Sequence, residues 1–199
     1  MSCQLAIYYK TEIETPIQRL CKTLLAIMRL IVEAQETFLL DQNRLSVYEQ
    51  ALRVCVKPGA VVLDLGAGSG VLGLLALRAG ASHIYAVDAT PALEIAREAV
   101  KVNGETARFT FLRQHSTTVV LPSPVDVVVG DQSGPMGFEG DLLSSFGDAA
   151  TRLLRPGGTL VPGAVATWMA PVERPDLEAH QQIWAPPVAG LDYSFVSQM

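Results

Sequence analysis

The chain has 199 residues, 49% of them hydrophobic, enough to bury one substantial core, and its length favours one domain with an appendage. A net charge of −5 and a pI near 5.2 argue against a nucleic-acid surface and suit a cationic or neutral partner. Cys3, Cys21 and Cys55 are scattered and lack C-x-x-C spacing, which excludes a disulfide framework and a zinc site and reads as reduced, cytoplasmic, mostly core cysteine. The apolar run Leu24 to Val32 is broken by Arg29 and falls far short of the ~20 residues that span a bilayer. No secretory signal is visible, so neither membrane nor nucleic acid is expected as a partner.

From Pro16 to about Leu40, Leu20, Leu24, Ile27, Met28 and Ile31 recur at helical spacing, which predicts an amphipathic helix packed on the main core. A second helix is expected from Arg44 to Val54, leading through Lys57-Pro58-Gly59 into a strand at about Ala60 to Leu65. That strand stops in alternating glycines, Gly66, Gly68 and Gly70. A helix from Val71 to Leu77, closed by Gly80, and a strand from Ile84 to Asp88 follow. The alternation continues with a helix from Pro91 to Val102, strands at Arg108 to Leu112 and Val125 to Val129, a helix from Leu142 to Leu154, and a strand at Thr159 to Val161. Repeated βαβ units predict an α/β, Rossmann-like, doubly wound, mostly parallel sheet with helices on both faces and an N-terminal helical extension. The divisions expected are residues 1–40 for the extension, 41–162 for the cofactor-binding domain, and 163–199 for a proline-rich end carrying a strand at Ala164 to Met169.

The frame Gly68-Ser69-Gly70-Val71-Leu72-Gly73 satisfies the dinucleotide pattern G-x-G-x-x-G, so the glycines alone permit NAD. Asp64 changes the balance. In the longer frame D-x-G-x-G-x-G, a carboxylate beside the turn opposes a pyrophosphate but suits an ammonium, and S-adenosylmethionine offers an ammonium and no phosphate. Asp88, 22 residues beyond Gly66 at the end of the second strand, is placed to accept hydrogen bonds from both ribose hydroxyls. Its plainer role is to cap the helix near Pro91. No Tyr-x-x-x-Lys follows the turn to support an oxidoreductase.

The run Val62 to Gly70 with Asp88 resembles the cofactor motifs of class I S-adenosylmethionine-dependent methyltransferases. Leu39-Leu40-Asp41-Gln42-Asn43-Arg44, then Tyr48 and Ala51, looks like the L-x-D-x-x-R-x-x-x-Y segment that precedes this motif in protein arginine methyltransferases. Pro162-Gly163-Ala164 and Gly190-Leu191-Asp192-Tyr193 resemble the stretch where that family leaves its Rossmann-like part. The resemblance spans about Phe38 to Phe195. It implies that Arg44 pairs with the cofactor carboxylate, that Gly66 to Gly70 cradle the methionine portion, that Asp88 holds the ribose, and that Glu94 and His115-Ser116-Thr117 lie near the adenine.

Beyond the strand Val125 to Val129, Asp131 and Glu139 occupy a glycine-rich loop at a carboxyl strand end, where an open parallel sheet binds ligands. The family places two glutamates in this loop to grip the substrate guanidinium. Here the first match is an aspartate, and the spacing is eight residues rather than nine. Two carboxylates suit this chemistry: a guanidinium with pKa above ~12 must be oriented and its charge localised before its free nitrogen attacks a sulfonium methyl in line, without a metal. The competing role for both acids is a solvated loop, with Glu139 favouring the start of the helix at Leu142. The resemblance also implies a β-barrel that would begin in residues 163–199, and Tyr8 and Tyr9 do not match the family's tyrosine pair because a long helix separates them from Asp41. The expected function is methyl transfer from S-adenosylmethionine to protein arginine, with a homo-oligomer admitted. The alternatives are a small-molecule or other N- or O-methyltransferase, or a catalytically weak cofactor-binding scaffold.

Overall fold

The computed structural model describes residues 15–132, 134, 142–173 and 191–192. Two compact units divide the chain, Met1–Val165 and Ala166–Met199. In the first unit the described elements run α1 (Pro16–Leu40), α2 (Gln42–Cys55), β1 (Val61–Leu65), α3 (Val71–Arg78), β2 (His83–Val87), α4 (Leu93–Val102), β3 (Phe109–Leu112), β4 (Val125–Val129), α5 (Leu142–Arg152) and β5 (Leu154–Val161).

The five strands form one parallel sheet in the order β3-β2-β1-β4-β5. The chain therefore winds outward from β1 through β2 to β3, then crosses back to β4 and β5. The point of reversal lies between β1 and β4, and a crevice opens there beyond the carboxyl ends of the strands. Successive strand residues point to opposite faces, so Val62 joins Leu52, Leu72, Ile84 and Val100 in one core layer, while Leu63 joins Val128, Phe146 and Leu153 in the other. Burial on both faces explains the near-continuous valine and leucine runs of β1 and β4.

Three expectations are corrected here. The apolar stripe of α1 does not pack on the core: Leu20, Leu24 and Ile27 are 60%, 53% and 46% exposed, and the half-buried positions of the helix are Ile31, Gln35, Phe38 and Leu39 near its end. Helical periodicity reports an apolar face but not what covers it. Second, Ala164 to Met169 form no strand. Trp168 and Met169 are 91% and 92% exposed in the second unit, with no ladder among the described residues to hold them. Third, of the two described cysteines only the half-buried Cys55 packs against the core, whereas Cys21 is exposed. Cys3, Tyr8, Tyr9, Gly190 and Tyr193 lie outside the described residues.

Smaller differences concern ends. The last strand starts at Leu154, so Pro156-Gly157-Gly158 lie inside it, accommodated by a register shift between Val125 and Val127 of the neighbouring β4. The helix expected from Pro91 begins at Leu93, because the Thr90 hydroxyl takes the Ala92 N–H in a preceding turn.

Candidate active site

At the end of β1 the backbone N–H groups of Gly66 and Ala67 both donate to the Val87 carbonyl, at 2.8 and 2.9 Å, drawing the turn against the end of β2. Gly66 and Gly68 sit at φ +70° and +51°, which disfavours any side chain, and both are closely approached. A Cβ on Gly66 would come 1.8 Å from the amide nitrogen of Gln132; one on Gly68 would come 2.5 Å from the amide oxygen of Gln35. Gly70, also at positive φ, is the N-cap of α3.

Asp88 stands beside this turn. Its Oδ2 accepts the Gly68 N–H at 2.9 Å, and its Oδ1 accepts the N–H and hydroxyl of Thr90, each at 2.7 Å. A carboxylate has about four acceptor sites, so lone pairs remain for a ligand. Asp88 thus braces the glycine turn and a local turn before α4, and does not cap α4 itself.

Asp64 departs from its expected place. It is 1% exposed, sealed beneath the turn, and its Oδ2 accepts the Gly73 N–H at 2.8 Å. It lines neither cavity described below and meets no ligand surface. Its role is to tie the start of α3 to β1. Burial pushes its carboxyl up to about 7, opposed by the Gly73 hydrogen bond and reinforced by the charge of Asp88. Its Oδ1 is buried without a hydrogen-bond partner among the described residues.

Two cavities meet at Gln35, Gly66 and Asp88. One, of about 330 Å³, is bounded by Asp88, Ala89, Thr90, His115, Ser116 and Gln132. The other, of about 200 Å³, is bounded by Phe38, Arg44, Gly68, Leu72 and Asp131. A glycine turn that a Cβ would fill, with an acid at the rim of both spaces, fits an amino-acid nucleoside: the nucleoside toward Asp88 and His115, the amino-acid end toward Arg44. Glu94, by contrast, pairs with Arg97 and faces a groove with Met28, away from both cavities.

Arg44 donates from Nη2 to Asp131 Oδ1, so the residue expected at the cofactor and the residue expected at the acceptor form one ion pair. The Asp131 side chain is 7% exposed, and its Oδ2 is buried and unpartnered among the described residues. The guanidinium of Arg44 also lies 5.1 Å from the centre of the Phe38 ring, which meets Tyr48 edge-on at 6.4 Å. Tyr48 donates its hydroxyl to the Gly130 carbonyl at 3.2 Å, and burial, then the negative charge of Asp131, holds its proton on well above the usual range. Helix α2 is set for this by Asp41, whose side chain caps the Arg44 N–H at 2.9 Å. Glu139, with Gly137 and Gly140 of the same loop, lies outside the described residues.

Gln35 and Gln132 escaped the sequence reading. Gln35 Oε1 accepts the Ser69 N–H at 2.8 Å, so the end of α1 reaches the glycine turn. A signal existed: the stripe through Ile31 continues at helical spacing to Gln35 and Phe38, where an amide replaces an aliphatic residue. For Gln132 no local pattern exists. Among the described residues no group of His, Cys, Asp and Glu is arranged to hold a metal ion.

A family model described as ribosomal protein L11 methyltransferase (PrmA) matches residues 41–164. A probable protein arginine N-methyltransferase 6 of Arabidopsis thaliana is 32% identical over 170 residues, which cover 84% of this chain and 39% of that relative. Protein arginine N-methyltransferase 6 of Xenopus laevis is 30% identical over 155 residues, 77% of this chain and 46% of that relative. The chain thus spans less than half the length of these relatives. Among solved structures, Arabidopsis thaliana protein arginine methyltransferase 10 superposes with a TM-score of 0.68 at 27% identity, over 82% of this chain and 51% of that one. The Trypanosoma brucei PRMT1 enzyme–prozyme heterotetramer with AdoHcy gives 0.68 at 25%, over 80% and 51%. The chain belongs to this methyltransferase family, as a class I, arginine-methyltransferase-like member.

Proposed function

We propose that the chain transfers a methyl group from S-adenosylmethionine to a guanidino nitrogen of protein arginine. The observation that carries this reading is the Asp131 carboxylate, held by Arg44 at Oδ1 and lining the smaller cavity with Gly66, Gly68 and Asp88 at the reversal point of the sheet. A carboxylate tied at one oxygen to Arg44 keeps acceptor sites for a guanidinium, which supplies several donors in one plane.

The bound cofactor supplies an electrophilic methyl on a sulfonium. Asp88 takes the ribose hydroxyls with its spare lone pairs, and Gly66 and Gly68 let the backbone approach the amino-acid portion. Arg44 uses its remaining N–H donors for the cofactor carboxylate while holding Asp131 Oδ1. Held that way, Asp131 turns Oδ2 to the acceptor, binds its N–H groups and draws positive charge toward them. The third guanidino nitrogen keeps electron density to attack the methyl in line; the S–C bond would break to leave S-adenosylhomocysteine, and the displaced N–H proton would pass to a loop carboxylate or water. Glu139 is the proposed second carboxylate. The three-part division at residues 40 and 162, a cytoplasmic setting inferred from the scattered cysteines, a protein acceptor and a homo-oligomer belong to the same proposal.

The test is radiolabelled methyl transfer onto a protein extract, with acid hydrolysis of the product. Label on methylarginine is the expected result. Label on methyllysine or on the amino terminus would replace it with the second reading, favoured by the match to the ribosomal protein L11 methyltransferase model over residues 41–164. In the same assay Asp131→Asn is expected to remove most transfer while leaving S-adenosylhomocysteine affinity, read by calorimetry, within severalfold.

A further inference from the structure

A third cavity, of about 310 Å³, opens at the amino ends of the strands, opposite the crevice, and shares no residue with the two spaces there. It is bounded by the turn 57–60 ahead of β1, by Asp126 and Val127 of β4, and by Arg155, Gly157 and Thr159 of β5. Val127 and Thr159 are partners in register, so both side chains lie on the face of the sheet that α2 covers. Gly59 and Gly157 border the space with bare backbone, and a Cβ on either would meet no protein atom within 4 Å. The charge here is unbalanced. Asp126 is the acid of this lining, and both its oxygens are committed: Oδ2 accepts the Val61 N–H at 2.6 Å, and Oδ1 meets Arg155 Nη1 at 2.6 Å. Lys57 makes no ion pair among the described residues, and Arg155 keeps N–H donors beyond the one that meets Asp126. In a chain of net charge −5, one cavity thus holds two cations against a single engaged carboxylate.

We propose that this cavity binds a small organic phosphate monoester, with the phosphate held between Lys57 and Arg155 and the organic part lying along Pro58 and Thr159. The donors come from separate elements, the turn before β1 and two positions of β5, so they approach an anion from different sides. A phosphate offers three terminal oxygens that do not share a plane, whereas a carboxylate offers two that do. Lysine meets such a group as a compact point charge and arginine as a planar fork, and the walls of the cavity concentrate their field. Volume argues for an organic part. The space is about ten times the roughly 30 Å³ share of one water, and it falls at the lower end of the ~300–1,000 Å³ found for small-molecule sites. Pro58, Ala60 and Val127 give it an apolar wall beside the charged one. Nothing in this assignment depends on which acceptor the crevice at the other end of the sheet serves.

The experiment uses the full chain saturated with S-adenosylhomocysteine, so that the crevice is filled, and titrates ribose 5-phosphate, ribose, ribonate and inorganic phosphate by calorimetry. Ribose 5-phosphate is expected to bind one to one with a Kd of about 1 mM or lower, and ribose not to bind measurably. Ribonate and inorganic phosphate are expected to bind at least about fivefold more weakly than ribose 5-phosphate. Lys57→Met keeps the length of an exposed side chain and removes its charge; it is expected to raise the ribose 5-phosphate Kd about tenfold. Thr159→Val keeps shape, loses the hydroxyl, and is expected to raise it about threefold. Lys101→Met, on the exposed face of α4 and outside this lining, is expected to leave it within about twofold. Absence of saturable ribose 5-phosphate binding in the parent overturns the proposal, as does an unchanged Kd in Lys57→Met. An equal loss in Lys101→Met overturns it too, because the chain's overall charge would then account for the effect. Ribonate binding as tightly as ribose 5-phosphate overturns the assignment to phosphate, and inorganic phosphate doing so overturns the assignment to an organic ligand.

Discussion

Arg44 connects two sites that the sequence treats as separate. Because its guanidinium holds Asp131 Oδ1 and rests near the Phe38 ring, replacing it disturbs the cofactor end and the acceptor end together. Arg44→Lys is expected to be almost as harmful as Arg44→Ala, raising both S-adenosylhomocysteine Kd and peptide KM, since a point charge cannot reproduce the planar fork. Calorimetry with steady-state kinetics on both variants checks this, and equal affinities in all three proteins would return Arg44 to an ordinary surface role. Asp64 gives a different kind of prediction. Its carboxyl, near 3.8 in the unfolded chain, is pushed up to about 7 by burial. Below the lower value both states are protonated. Between the two values the folded chain keeps a proton that the unfolded chain releases, so stability falls as pH rises through that interval and stays reduced above it. Urea unfolding from pH 4 to 8 should show this decline, and Asp64→Asn should flatten it.

At the scale of elements, α1 carries the stronger apolar stripe of the two N-terminal helices, yet α2 contributes more to the core. Leu52 of α2 is fully buried against the sheet, whereas Leu24 of α1 is 53% exposed. Leu52→Ala is therefore expected to cost about 2–5 kcal/mol and Leu24→Ala less than about 0.5 kcal/mol, measured by chemical unfolding. Comparable losses would mean that the stripe on α1 is covered. The working part of α1 is its last two turns, where Gln35 fixes the Ser69 N–H and Phe38 lies under Arg44. Gln35→Ala should accordingly weaken S-adenosylhomocysteine binding while leaving the unfolding midpoint nearly unchanged.

For the molecule as a whole, the order β3-β2-β1-β4-β5 places the glycine turn, Asp88 and Asp131 around one crevice. A ligand that binds only the folded state raises its stability by about 2.7 kcal/mol at a hundredfold excess over Kd. S-adenosylhomocysteine should therefore raise Tm in a concentration-dependent way, and NAD should not, because Arg44 and Asp88 provide for a carboxylate and a ribose but nothing described here provides for a pyrophosphate. An equal shift with NAD would restore the dinucleotide reading of the glycine pattern.

The sequence by itself located the five strands of the sheet, though not the start of β5, and it determined the glycine turn and the acid at the end of β2. Apolar periodicity and glycine spacing are local properties, and a parallel sheet buried on both faces writes them plainly. It also carried Asp131 to a carboxyl strand end, since β4 closes on the apolar run Val127 to Val129 just before it. It could not say that Asp64 lies beneath the turn rather than beside the ligand, because a carboxylate in a strand reads the same whether it faces the crevice or the first turn of α3. Nor could it join Arg44 to Asp131, 87 residues apart, or bring Gln35 and Gln132 onto neighbouring glycines. Those contacts depend on where α1 ends and on which strand lies next to β1. Only the tertiary structure decided them, because they arise from the packing of distant segments and leave no period in the chain.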